Sequence, residues 1–298
     1  LRFAGQIRPL DAAALLDRVE NDRIVHAVTA RVHEHRAAQA QRFLELPEEI
    51  LATSMRRHQK IFVLYDKKAG SVRPNFLAVV NGKKKNPKLI QKNYEVVLEA
   101  KLKDAEFFYQ EDRKTKLEEK LDGLKKVTFL GKLGTLFEKT QRLVALSEDL
   151  AGELRLNPDE AFCLGRAASL SKADLITHMV YEFPELQGFT GSEYARREGE
   201  SLAVSNALKD YYLPVSLQSE DPLELKSVSK GDVRKIRYTG ALLGILDKLD
   251  TLVGATGIGM EVSGSQDPYA LRRAANGIVL TIFEFKKRGL EEIAFSLE

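Results

Sequence analysis

The chain has 298 residues, 44% of them hydrophobic and 30% charged, enough apolar side chain for a substantial core in one large or two moderate domains. Its formal net charge of +3 excludes a strongly basic nucleic-acid module and leaves any RNA contact to local clusters. The single cysteine, Cys163, excludes an intrachain disulfide and suits a reducing compartment, and no apolar run approaches the roughly 20 residues a transmembrane helix requires.

The first residue, Leu1, stands in the middle of an ordinary segment, so the chain reads as a fragment of a longer polypeptide. The stretch from Leu10 to Ala40 is Ala- and Arg-rich with little turn chemistry, and Leu15, Val19, Val25 and Val28 give it a loose apolar face; the pattern predicts a helix. His26, His33 and His35 fall here, and His33 and His35, two apart on a helix, point in different directions and make no metal pair. A short helix is expected from Pro47 to Met55. It leads into the basic run Arg56-Arg57-His58-Gln59-Lys60, then a strand from Ile61 to Tyr65, a turn from Lys67 to Gly70 and a partner strand from Asn75 to Val80, which together make a hairpin. Arg56, Arg57, His58 and Lys60, with Phe62 and Tyr65 beyond them, form either a phosphate-contacting edge or a charged solvated turn. Lys83, Lys84 and Lys85, in the loop that follows, either meet a phosphodiester backbone with release of counterions or make a solubilising linker.

From Asn93 onward the pattern is almost wholly helical. Val96, Val97, Ala100, Ala105 and Phe108 mark one helix; Leu133, Phe137, Val144 and Ala151 mark another; the mixed-charge stretch from Asp112 to Lys126 between them reads as an exposed loop or helix face. Asn157 as cap, Pro158 in the first turn and Glu160 reaching back begin a long helix expected to run to Phe183-Pro184. Ala161, Leu164, Ala168, Leu175 and Met179 give it an apolar face and place Lys172, Asp174 and His178 together on a neighbouring one. A second long helix carries the stripe Leu242, Leu246, Leu249 and Val253, with Asp247 and Asp250 at its edge. Carboxylates so placed need partners, because burying an unpaired charge is costly. Gly254, Gly257 and Gly259 follow a helix rather than a strand and lack the Lys-Ser/Thr of a P-loop, so they make no nucleotide cradle. Asp267-Pro268 restarts a helix expected to reach Arg288. The fold class is α+β, mostly α: a small N-terminal α/β region over 1–92, then an all-helical domain over 93–298.

The runs LPEEILATSMRRHQKIFVLYD (46–66), LKDAEFFYQED (102–112), GKLGTLFEKTQRL (131–143), KADLITHMVYEFPELQGFTGSEYA (172–195), DYYLP (210–214), DKLDTLVG (247–254) and GSQDPYALRR (264–273) resemble, in the same order, the β subunit of bacterial-type glycyl-tRNA synthetase. The likeness covers Phe43 to Ala294. A family stretch with an acidic motif containing Trp and Pro, which would precede Phe43, is missing here, so the N-terminal region is shortened.

The resemblance implies an HD-like helical domain, related in fold to metal-dependent phosphohydrolases. An HD site holds its metal with a His, an adjacent His-Asp pair and a distant Asp. Ala173-Asp174 stands at the pair and Asp247 at the distant Asp, and no histidine lies between His58 and His178 to offer the first ligand. A degenerate site is therefore expected, with no catalytic residue and no metal, in which Asp174 and Asp247 bind helices together through Lys172 or Lys248. The resemblance further implies that the chain is part of a glycine–tRNA ligase of protein biosynthesis. It assigns ATP and Mg to the catalytic α subunit and no cofactor to this chain, which is expected to be inert alone. It gives tRNA-Gly and the α subunit as partners in a heterotetramer off the membrane, in the cytoplasm, or in an organellar stroma or matrix for a plant-type fused enzyme. Anticodon reading belongs to a C-terminal domain beyond this chain. Arg273 is either a tRNA contact or a helix anchor, Arg272 an internal salt bridge, and Arg196-Arg197 a further candidate pair. Two other readings stay open: an HD-type phosphohydrolase, and a module that only joins subunits.

Overall fold

The computed structural model of the chain describes residues 25–31, 42–58, 61–66, 70–81, 86–213, 232–260 and 269–287. It divides into two units, Leu1–Asp112 with Glu182–Leu186, and Arg113–Tyr181 with Gln187–Glu298. The α+β, mostly helical class is as expected from sequence.

The first unit is built on a three-stranded antiparallel sheet of β1 (Val25–Arg31), β2 (Ile61–Tyr65) and β3 (Val72–Asn81), in the order β1-β3-β2. The expected hairpin is there, with Ile61 opposite Ala78 and Phe62 opposite Leu77. Its turn is tied by the Asp66 N–H to Ser71 O at 2.8 Å and by Arg73 to the Asp66 carboxylate at 2.8 Å. β1 overturns the helix expected from Leu10 to Ala40: Val25 lies opposite Asn81 and Arg31 opposite Asn75. The β-branched Val25, Val28 and Thr29 suit a strand, and the outer edge of β3 offers a row of backbone groups that must be paired; tertiary pairing outweighs helix propensity here. His26 lies in that strand, while His33 and His35 lie outside the described residues. Between β1 and β2 come α1 (Glu48–Thr53), with Ile50 and Leu51 buried, and a π-helical turn from Ser54 to His58. After β3, α2 (Pro87–Asp112) buries Leu98, Leu102, Ala105 and Tyr109, spaced four, three and four apart. Val96 and Val97, expected on its apolar face, are exposed.

The second unit begins with α3 (Leu117–Lys120), a 3-10 turn (Leu121–Lys126) and a short pinned loop, so Asp112 to Lys126 is ordered rather than an open loop. α4 (Leu136–Glu153) and α5 (Pro158–Leu170) follow, each opened by a reciprocal cap, Thr135 with Glu138 and Asn157 with Glu160. The cap at Asn157 is as the sequence predicts; the single helix to Phe183 is not. Ser171 turns its hydroxyl onto Ala168 O at 2.8 Å, Ala173–Ile176 tightens into 3-10 geometry, and Thr177 goes extended. The Thr177 hydroxyl donates to Asp174 O at 2.6 Å and accepts from the Val180 N–H at 3.2 Å, starting α6 (His178–Glu182). Hydroxyls that compete for backbone groups break the helix twice within seven residues. The break turns Lys172 and Asp174 inward, whereas His178 stays exposed, so the three do not share a face.

α7 (Phe189–Arg197), α8 (Leu202–Asp210), α9 (Asp232–Gly257) and α10 (Leu271–Lys287) complete the unit. α10 starts at Leu271, three residues later than its predicted proline start, after Ala270 at φ +57°. α9 is central, packing against α4, α5, α8 and α10. Leu242 and Leu246 of its predicted stripe are buried, but the stripe ends early, with Val253 exposed.

Candidate functional site

The helical unit is locked by a buried ionic cluster joining α4, the turn after α5, and α9. Lys139, on α4, is enclosed on the helix face that Thr140, Leu143 and Ser147 bury in the core. Its ammonium lies 2.9 Å from Asp250 Oδ2 and 3.0 Å from Asp247 Oδ1, the latter an ionic contact without hydrogen-bond alignment. It also donates to Thr251 Oγ1 at 2.8 Å and to Asp247 O at 3.1 Å. One turn on, Arg142 grips Asp250 through Nε at 2.6 Å and Nη2 at 3.1 Å. Lys172 donates to Asp247 Oδ2 at 2.9 Å and sits over the rings of Tyr211 and Tyr212, the aromatic pair of the DYYLP run. Burial alone would raise the Asp247 carboxyl, but Lys172 and Lys139 together outweigh it and hold it well below the usual carboxylate range. Burial pushes the Lys172 ammonium below its ordinary value, with Asp247 opposing.

Lys248 takes no part in pairing Asp247. Its ammonium donates to the carbonyls of Tyr211, Leu213 and Gly244 at 3.0, 3.1 and 3.2 Å, closing the C-terminal end of α8 onto α9. Burial draws it down to about 8. Asp174 is also occupied by backbone: its Oδ2 accepts the Gly188 N–H at 2.6 Å, at the N-terminus of α7, and its Oδ1 has no hydrogen-bond partner. Burial raises this carboxyl to about 6 against the opposing pull of that N–H and of Lys172.

These positions do not fit the divalent ion of an HD site. Asp247 faces two ammonium groups, Asp174 is committed to the α7 N-terminus, and His178 is exposed on another face. Among the described residues no three His, Cys, Asp or Glu side chains converge as metal ligands.

The basic candidates fall in both units. Arg56 is exposed on the π turn of the first unit, and the same turn carries the backbone of Arg57 and His58. Lys60, Lys83, Lys84 and Lys85 lie outside the described residues. Arg273 is exposed in the first turn of α10, in the other unit. Arg196 and Arg197 are spent on Glu193 of their own helix. The residues that sequence reasoning missed are Lys139 and Arg142. Lys139 falls on the same helical face as Leu136 and Leu143, a charge in an apolar stripe, which is the signal that could have found it.

An apolar groove of about 900 Å3 opens beside this cluster, lined by Leu133, Ala145, Leu146, Leu249 and Val253 with Lys132 and Arg142 among its polar residues.

The family model described as "Glycyl-tRNA synthetase beta subunit" matches residues 12–293. The chain belongs to the glycyl-tRNA synthetase β-subunit family. It is 41% identical over 242 residues to the glycine–tRNA ligase β subunit of Bacillus subtilis (strain 168), a match covering 81% of this chain and 34% of that protein. The β subunit of Geobacter metallireducens is 44% identical over 242 residues, covering 81% and 33%. That of Streptococcus agalactiae serotype Ia is 42% identical over 245 residues, covering 82% and 34%. The chain therefore spans about a third of the length of the curated β-subunit relatives it matches. Within this synthetase family, the conspicuous SKADLITHMVYEFPELQGFTG run (171–191) is accounted for by packing: it carries the double helix break, the Asp174 carboxylate and the glycine turn that receives it.

Proposed function

We propose that this chain is a non-catalytic segment of the β subunit of a glycine–tRNA ligase, which helps bind tRNA-Gly through its backbone phosphates and docks the catalytic α subunit. Membership of the family over nearly the whole chain carries the reading. ATP and Mg act at the α subunit, in the cytoplasm or an organellar equivalent, and the assembly is a heterotetramer. The HD-type phosphohydrolase has no supporting observation: Lys172 and Lys139 hold the carboxylate that such a metal would need, and kinship of fold is no evidence of activity.

The test is glycylation of tRNA-Gly by full-length β subunit with α subunit, comparing wild type with Arg56→Ala/Arg57→Ala/Lys60→Ala, with tRNA affinity measured at two salt concentrations. Loss of affinity and of part of its salt dependence, with α–β assembly intact, is expected. Unchanged affinity and glycylation remove the basic turn from the RNA site; a wild-type β subunit that adds nothing to tRNA affinity overturns the reading itself.

A further inference from the structure

The stretch 113–132 holds seven basic and three acidic residues, and the structure shows where each acid is engaged. Glu118 pairs with Arg166 at 3.2 Å, Glu119 accepts the Lys116 N–H at 3.4 Å, and Asp122 pairs with Lys125 at 2.6 Å. The next acid, Glu138, is held by the Thr135 N–H at 2.7 Å and hydroxyl at 3.0 Å. Lys126 and Lys132 are exposed and have no ion-pair partner among the described residues. Both therefore contribute to the local charge excess.

They are also held still. Lys126 ends a 3-10 turn at the base of a loop closed by the Leu136 N–H to Val127 O at 2.8 Å and the Phe129 N–H to Gly134 O at 2.7 Å. Lys132 is at the tip of this loop, just after Leu130 at φ +44°, a left-handed conformation that costs energy for any residue with a Cβ and persists only where its surroundings over-determine it. The surroundings do so. The Lys139 ammonium lies 4.5 Å from the Phe129 ring centre, Arg142 donates to Leu133 O at 3.4 Å, and the Leu133 side chain packs over Gly254, where a Cβ would come within 2.6 Å of it.

A rigid tip and base carrying uncompensated lysines suit an extended polyanion. No donors converge here as a compact anion site demands. Exposed point cations on a structured loop match a phosphodiester backbone, which binds by releasing counterions.

We infer that Lys126 and Lys132 form a contact for the RNA phosphate backbone on the helical unit, in addition to the basic turn at Arg56. The inference rests on the tRNA-binding reading above.

The test uses full-length β subunit assembled with α subunit, and measures tRNA-Gly affinity from low to high salt for wild type, Lys126→Gln/Lys132→Gln and Lys126→Glu/Lys132→Glu. Melting curves serve as the check on folding. The Gln pair is expected to weaken low-salt binding about tenfold and to flatten the log–log salt slope by about 1 to 2, with the Glu pair weaker still. Both variants binding as wild type, while the Arg56 turn variant loses affinity, overturns this inference and leaves the proposed function standing. Wild-type assembly whose tRNA affinity owes nothing to the β subunit overturns the proposed function and this contact with it. Loss of α–β assembly in the Glu pair, with tRNA affinity of the isolated β subunit intact, makes this loop a protein contact and overturns the inference.

Discussion

Asp174 is enclosed by protein, with one carboxylate oxygen on the Gly188 N–H and the other without a partner. Its carboxyl titrates near 6 in the folded chain against 3.8 for the ordinary value, so between those pH values the folded state binds more protons than the unfolded. Stability from this group therefore rises as pH falls through 6 and levels off below 3.8; above 6 the charge costs on the order of 3 kcal/mol. Asp174→Asn keeps an acceptor for Gly188 and removes the charge. It is expected to raise Tm at pH 7.5, with the gain over wild type shrinking by pH 5; a constant gain across that range would mean that the carboxyl is not titrating there. Asp247 has the opposite sign: its depressed carboxyl contributes stability above 3.8 that is lost only in strong acid. Replacing Lys139 by Met leaves Asp247 and Asp250 short of a buried cation and should cost about 3–5 kcal/mol in urea unfolding at pH 7. The sequence showed that Asp247 and Asp250 need partners, because they edge an apolar stripe. It offered Lys172 or Lys248 for Asp247, of which Lys172 is the partner found, and did not show Lys139, 108 residues away from Asp247.

At the scale of elements, legibility followed how local the cause was. The hairpin and the Asn157–Glu160 cap are set by residues within a few positions of each other, and both were read correctly. β1 depends on the open edge of a strand some fifty positions on, and the breaks at Ser171 and Thr177 depend on hydroxyls that choose backbone partners only once buried. The crossing of α8 on α9 is set by glycine: a Cβ at Gly244 would stand 2.7 Å from the Tyr211 carbonyl oxygen, and one at Gly240 would stand 2.7 Å from Asp210 Cβ. Gly244→Ala must push the helices apart and loosen the carbonyls that Lys248 holds. A loss of about 1–3 kcal/mol is expected by urea unfolding, against near neutrality for Gly257→Ala, where a Cβ meets nothing within 4 Å.

For the whole molecule, a net charge of +3 spread over 298 residues sets a weak general field, so binding to RNA must depend on few phosphates. The salt dependence of tRNA affinity attributable to this chain should then be shallow, a log–log slope of about 2 to 4, and a slope near 10 would point to basic surface elsewhere in the full-length protein. The division of the chain bears on how the protein can be taken apart. The backbone passes between the two units at 112/113, at 181/182 and at 186/187, because the five residues from Glu182 to Leu186 belong to the first unit while their neighbours on both sides belong to the second. One protease cut at 112/113 therefore severs the chain into two polypeptides but leaves Glu182–Leu186, carried by the C-terminal fragment, packed without a covalent bond in the first unit. A gene encoding only 113–298 would supply the helical unit with a five-residue insert deprived of its own packing partners, so cleavage between the units should yield fragments that stay together under native conditions and part only in denaturant.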